Sequence, residues 1–157
     1  MWESLQHTGW VETLATSRWL YGLVSVVHFS AVFFCVGTIV VLDLRILGAA
    51  SRNQTPSLLA EQLRPWTWIG LAAVAVSGFL LFATEAGSFA TATPFRLKIV
   101  VVVLATVSAL AAEWSLPRWD RAPAMPVTAK VVALISILLW LGAMLVSVEV
   151  PALTGLG

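Results

Sequence analysis

A single cysteine, Cys35, leaves this 157-residue chain without an internal disulfide or a thiolate metal cluster. Charge is equally scarce. Only 11% of the residues are Asp, Glu, Lys or Arg, against about a quarter in soluble domains. A formal net charge of +1 supplies no basic field for nucleic acid. There is no HExxH, no CxxC, no phosphate-binding loop and no nucleophile–base arrangement, so catalysis of the soluble type has no residues to use. What is abundant is apolar: 59% of the residues are hydrophobic and the mean hydropathy is +0.92. A soluble core could not hide that surplus, because a domain of this size still exposes about a third of its unfolded surface. A disordered chain, a secreted disulfide scaffold and an ordinary cytosolic enzyme are excluded.

The apolar residues fall into four runs, each near the roughly 20 residues that a helix needs to cross about 30 Å of hydrocarbon. Spans are predicted at about 19–42, 66–85, 95–116 and 127–150. The runs are continuous, without the polar–apolar alternation of barrel strands, and only helices or closed barrels satisfy every backbone group in lipid. Prolines punctuate them. Pro65, Pro94 and Pro126 stand where a first helical turn tolerates the missing N–H, and Pro117 and Pro151 read as stops. Short connections make consecutive helices antiparallel neighbours, so the expected fold is an all-α, integral-membrane antiparallel four-helix bundle over residues 18–157. Residues 1–17 lack the pattern of a cleavable signal. Trp2, Leu5, Trp10, Val11 and Leu14 recur there at roughly helical spacing, which suggests a short helix lying in the interface.

Basic residues set the orientation. Arg45, Arg52, Arg64, Arg118, Arg121 and Lys130 flank the first and third connections, whereas Arg18, Arg96 and Lys98 lie on the other side. This places both termini outside a bacterial inner membrane, with the lipid bilayer as the first partner and a membrane-protein complex or homo-oligomer as the next. The first helix is expected to run on through LDLRILGAASR to Ser51. Asp43 and Arg45 then sit at the inner interface, where Arg64 or Arg118 could pair with Asp43. An interfacial charge cluster and a role in proton or ligand access are both open there.

Ionisable residues inside a span are costly without partners and therefore read as candidate functional groups. His28 lies roughly 13 Å below the outer end of its helix and Lys98 roughly 6 Å in, by the rise of an α-helix. Glu85 and Glu149 end their helices on the same side, and either one pairing with Lys98 would make a structural ion pair. Glu113 is expected near Arg118 at the opposite side. Ser77 or Ser147 could satisfy a neutral His28 imidazole. Alternatively, His28 is an axial ligand to a haem b or another tetrapyrrole, with Met144 at similar depth as a second ligand and Arg96 and Lys98 toward the propionates. A lone histidine could also hold a chlorophyll-type magnesium. A copper site is disfavoured, since His28 and Cys35 lie roughly 10 Å apart along one helix. Between Glu113 and His28 the inner half looks almost bare, which disfavours transport of a metal or small solute.

The order VVHFSAVFFCVGTIVVLDLRILG, then LRPWTWIGLAAVAVSGFLLF, then TPFRLK resembles a group of bacterial four-helix membrane proteins with a domain of unknown function. More distantly, it is similar to copper-resistance D proteins. The resemblance runs from about Arg18 to Trp140 and implies the four-helix fold. His28 and Lys98 match positions that carry histidine and lysine in that group. Where its members often have a further histidine near the end of the third helix, this chain has Glu113. The functional expectation is a non-catalytic membrane protein, an accessory subunit of a larger complex; the alternatives are a small redox protein using His28, and transport.

Overall fold

The computed structural model describes residues 4, 6–51 and 53–154, except for the side chains of 148–154. Trp2, Leu5, Arg52 and the side chain of Glu149 lie outside the described residues. The fold is all-helical. A short α1 (Gly9–Thr16) precedes α2 (Arg18–Ile46) and α3 (Pro56–Thr84); α4 (Ala86–Thr91) is a six-residue helix, followed by α5 (Thr93–Trp119) and α6 (Val127–Thr154). Four of these are long and apolar enough to cross a membrane: Arg18–Ile46, Pro56–Thr84, Thr93–Trp119 and, within α6, Val127–Ser147.

Local chemistry explains most of the ends. Ser17 and Thr55 cap α2 and α3 by accepting from the Leu20 and Leu58 amides. Pro94 stands in the first turn of α5, where no amide is needed. α2 stops at Ile46, short of Ser51, because Gly48 turns the chain with a φ of +79° and the Ala49 amide closes back on the Leu44 carbonyl. α3 begins ten residues before the sequence-predicted span, and Pro65 lies inside it. The stretch from Pro56 to Arg64 is a good helix former with its own cap, so the helix starts there and absorbs the proline. Pro117 lies inside the last turn of α5 and Pro151 inside α6, so neither stops its helix. Each of α2 and α3 has 29 residues, or roughly 43 Å of helix, which exceeds the hydrocarbon thickness.

α2 packs chiefly on α3, and α5 on α6, with α2 also touching α6. His28 meets Ser77, Cys35 meets Gly70, and Thr38 meets Thr67, so residue numbers rise along α2 as they fall along α3. One core cluster joins Cys35, Val36 and Ile39 to Ala105 and Trp140; a second joins Ile46, Ala60, Leu116, Ala129 and Ala133. Half of these ten residues are Ala or Cys, which lets the helices approach closely between the larger side chains. Outward-facing positions are strongly apolar: Trp19, Trp114, Val127 and Leu145 are among the most exposed. In α1, Val11 and Leu14 are buried against α2 and α3. Just before it, the Gln6 side chain donates to the Thr84 carbonyl and accepts from the Gly87 amide, tying this segment to the end of α3.

Candidate functional site

The polar groups inside the helices gather at two levels. About two turns before the α3–α4 junction, His28 Nδ1 lies 2.9 Å from Ser77 Oγ. The Ser77 hydroxyl itself donates to the Ala73 carbonyl, so its lone pair is free to accept from the imidazole. That arrangement puts the ring proton on Nδ1 and leaves Nε2 as the acceptor nitrogen. Gly78 gives the ring its room, because a Cβ there would come within 3.0 Å of His28 Cε1. Lys98 is half-buried and close enough for its charge to act on His28, yet among the described residues it has no ion pair.

Of the residues expected to complete a tetrapyrrole site, Lys98 lies near His28, whereas Arg96 and Met144 make other contacts. Arg96 is turned back, its Nε and Nη2 donating to the Ala90 carbonyl and holding the segment before α5. Met144 packs against the apolar cluster of Cys35, Val36, Ile39, Ala105 and Trp140. Glu85 forms the junction between α3 and α4 and makes no ion pair with Lys98. One edge of the His28 ring is pressed onto α3 by Ser77 and Gly78, so no macrocycle can enter between these two helices. Arg96 is thus committed to the α4 backbone, and the side of His28 that faces α3 is filled by the protein itself.

The second level lies at the opposite end of α2. Here Asp43 is 2% exposed and its Oδ2 has no hydrogen-bond partner. It does not pair with Arg45, Arg64 or Arg118. Arg45 donates instead to the Gln54 carbonyl at 2.6 Å, and Arg64 binds Glu113. Arg118, expected beside Glu113, is exposed and unpaired among the described residues. Ser136 of α6 is fully buried, and its hydroxyl faces the Asp43 carboxylate without closing a hydrogen bond of good geometry. A cavity of about 50 Å³ opens beside Asp43, with Thr38, Thr67 and Thr106 among its polar lining and Arg64 and Glu113 on its wall. The half of the molecule that is nearly bare of charge in sequence thus contains a mostly apolar cavity into which a few polar side chains reach.

Sequence reasoning missed Ser136 and Asp120. Asp120 reaches across from the end of α5 to accept from the Ser57 amide at 3.0 Å, an acidic group at the start of α3. The signal for a buried Asp43 was present: Cys35, Ile39 and Asp43 recur every fourth residue along α2. Its neighbour Arg45 made the segment look interfacial.

A family model matches residues 17–148, and the chain belongs to that family, described as a family of unknown function (DUF6644). No curated protein and no solved structure matches the chain.

Proposed function

We propose that the protein is a non-catalytic integral membrane protein, an antiparallel four-helix bundle in the bacterial inner membrane with both termini outside and α1 lying in the outer interface. In this reading it serves as an accessory subunit packed against a larger membrane complex. One observation carries the proposal: five of the polar side chains singled out by the sequence hold the helices or their connections, whereas Asp43, Glu85, Lys98 and Arg118 form no ion pair among the described residues. His28 bonds Ser77, Arg96 bonds Ala90, Arg45 bonds Gln54 and Arg64 bonds Glu113. The opposed numbering of the residue pairs between α2 and α3 supports the antiparallel arrangement. The exposed apolar side chains of all four long helices support a bilayer setting and offer faces for a protein neighbour.

Gentle detergent extraction followed by native electrophoresis tests this reading. The chain is expected to migrate with a larger neighbour, colourless, and to stay in the membrane pellet through an alkaline wash. Migration as a lone 16.9 kDa chain would reject the subunit role, and release by alkali would reject the membrane reading. The redox alternative draws support from one feature, the acceptor lone pair on His28 Nε2, which a metal-bound porphyrin at the outer surface of α2 could use. A Soret band lost in His28→Ala would favour it over the structural role.

A further inference from the structure

We propose that Asp43 and Ser136, beside the cavity between α2, α3 and α5, form a binding site for one monovalent positive charge, an alkali cation or a proton. The charge balance comes first. A carboxylate removed from water is tolerated when it is neutralised, and its uncompensated burial costs several kcal/mol or more. Asp43 is buried, and the charges that share its surroundings cancel each other: Arg64 from α3 and Glu113 from α5 bind one another. α6 contributes the uncharged Ser136. Among the described residues the site therefore lacks a single positive charge.

The polar groups at the cavity have the matching chemistry, although most of its wall is apolar and Ser136 faces Asp43 from α6, outside the lining. Asp43 Oδ2 and Ser136 Oγ are both buried oxygens without a partner. The Thr38 hydroxyl donates to the Cys35 carbonyl, Thr67 to Thr38 or the Leu63 carbonyl, and Thr106 to the Val102 carbonyl. Their hydrogens are engaged with the protein, so these oxygens have lone pairs to offer, which suits a hard cation or a proton and not an anion. A cavity of about 50 Å³ has room for an ion with part of its hydration shell, or for a short chain of waters, each needing at least about 10–15 Å³. Access runs past Arg64 and Glu113. Ile39 lines the cavity and, with the buried Ala105 and Trp140, belongs to the apolar cluster around Cys35.

The test uses the full chain in lipid nanodiscs. NaCl, KCl or LiCl replaces choline chloride at constant ionic strength while thermal unfolding is followed by tryptophan fluorescence, and infrared spectra record the carboxyl C=O stretch. An alkali occupant is expected to raise Tm logarithmically with its concentration, by about 3–5 °C at ten times its Kd, and the rise should vanish in Asp43→Asn. A proton occupant is expected to give a neutral-carboxyl band at pH 7 that Asp43→Asn removes, with no alkali effect. Ser136→Ala should weaken alkali binding about tenfold or shift the carboxyl band. If alkali ions leave Tm unchanged and Asp43→Asn removes only ionised-carboxylate absorption, the site does not exist and the cavity holds water alone. Should Asp43→Asn fail to fold, the wild-type titration and Ser136→Ala decide on their own: no alkali response and no band shift overturn the proposal.

Discussion

Gly70 and Cys35 touch backbone to backbone where α2 crosses α3: a methyl group on Gly70 would lie 3.0 Å from Cys35 Cβ and 3.2 Å from its Cα. Neither atom can move without displacing a whole helix. Gly70→Ala is therefore expected to destabilise the protein by about 1–3 kcal/mol, the range for overpacked cores. Gly78→Ala is the instructive comparison, because the added methyl would meet the His28 ring, which can rotate away. Its cost should be smaller, and it should loosen His28 from Ser77. Unfolding in mixed micelles with increasing dodecyl sulfate measures both; equal losses would mean that the two glycines do not differ as the contacts require.

The His28–Ser77 hydrogen bond is an interhelical contact inside a span, and such contacts contribute on average about 0.6 kcal/mol and at most about 1.7. A double-mutant cycle of His28→Ala and Ser77→Ala should return a coupling within that range. A coupling near zero would remove the structural role of His28 and leave its Nε2 as the reason for the residue.

The helices were legible in sequence because lipid imposes a length and a composition that no soluble protein shares; the four runs and their order needed no packing information. Helix ends were less legible. Gly48 ended α2 where composition alone let it continue, and Pro65 misplaced the start of α3 because a proline is equally at home in a first turn or, with neighbours to support it, farther in. The polar residues were harder still. His28 announces itself as an ionisable group in an apolar run, but whether it meets Ser77 or a cofactor depends on which helices cross there. Asp43 was assigned to the interface by its neighbour Arg45, although the two side chains point to different faces. Ser136 is one small residue in a run of apolar ones, and only the facing of α6 to α2 gives it a role.

Arg64 and Glu113 bridge α3 and α5 beside the cavity, but the Arg64 side chain is 52% exposed. Solvent screening limits such a pair to about 0–1 kcal/mol. Glu113→Gln is thus expected to change stability by less than about 1 kcal/mol, with the difference shrinking further at high salt. It should, however, leave Arg64 uncompensated on the cavity wall and weaken alkali binding at Asp43 through repulsion. A large loss of stability, unaffected by salt, would mean that the pair is shielded from solvent.

The orientation is open to a direct experiment because the native cysteine is silent. Cys35 is 1% exposed and packed against Gly70, so a membrane-impermeant maleimide should not reach it. New cysteines at Asn53, in the connection before α3, and at Ala122, in the connection before α6, sit among the basic residues that cytoplasmic connections accumulate. A cysteine at Ser88, an exposed position of α4, sits at the other end of the bundle. In intact spheroplasts Ser88→Cys is expected to label while Asn53→Cys and Ala122→Cys label only after permeabilisation. The reverse pattern would invert the topology and put the chamber at Asp43 outside, where its occupant would be drawn from the external medium. Labelling of all three without permeabilisation would mean that these connections do not lie on opposite sides of a bilayer, and the charge asymmetry would then need another cause.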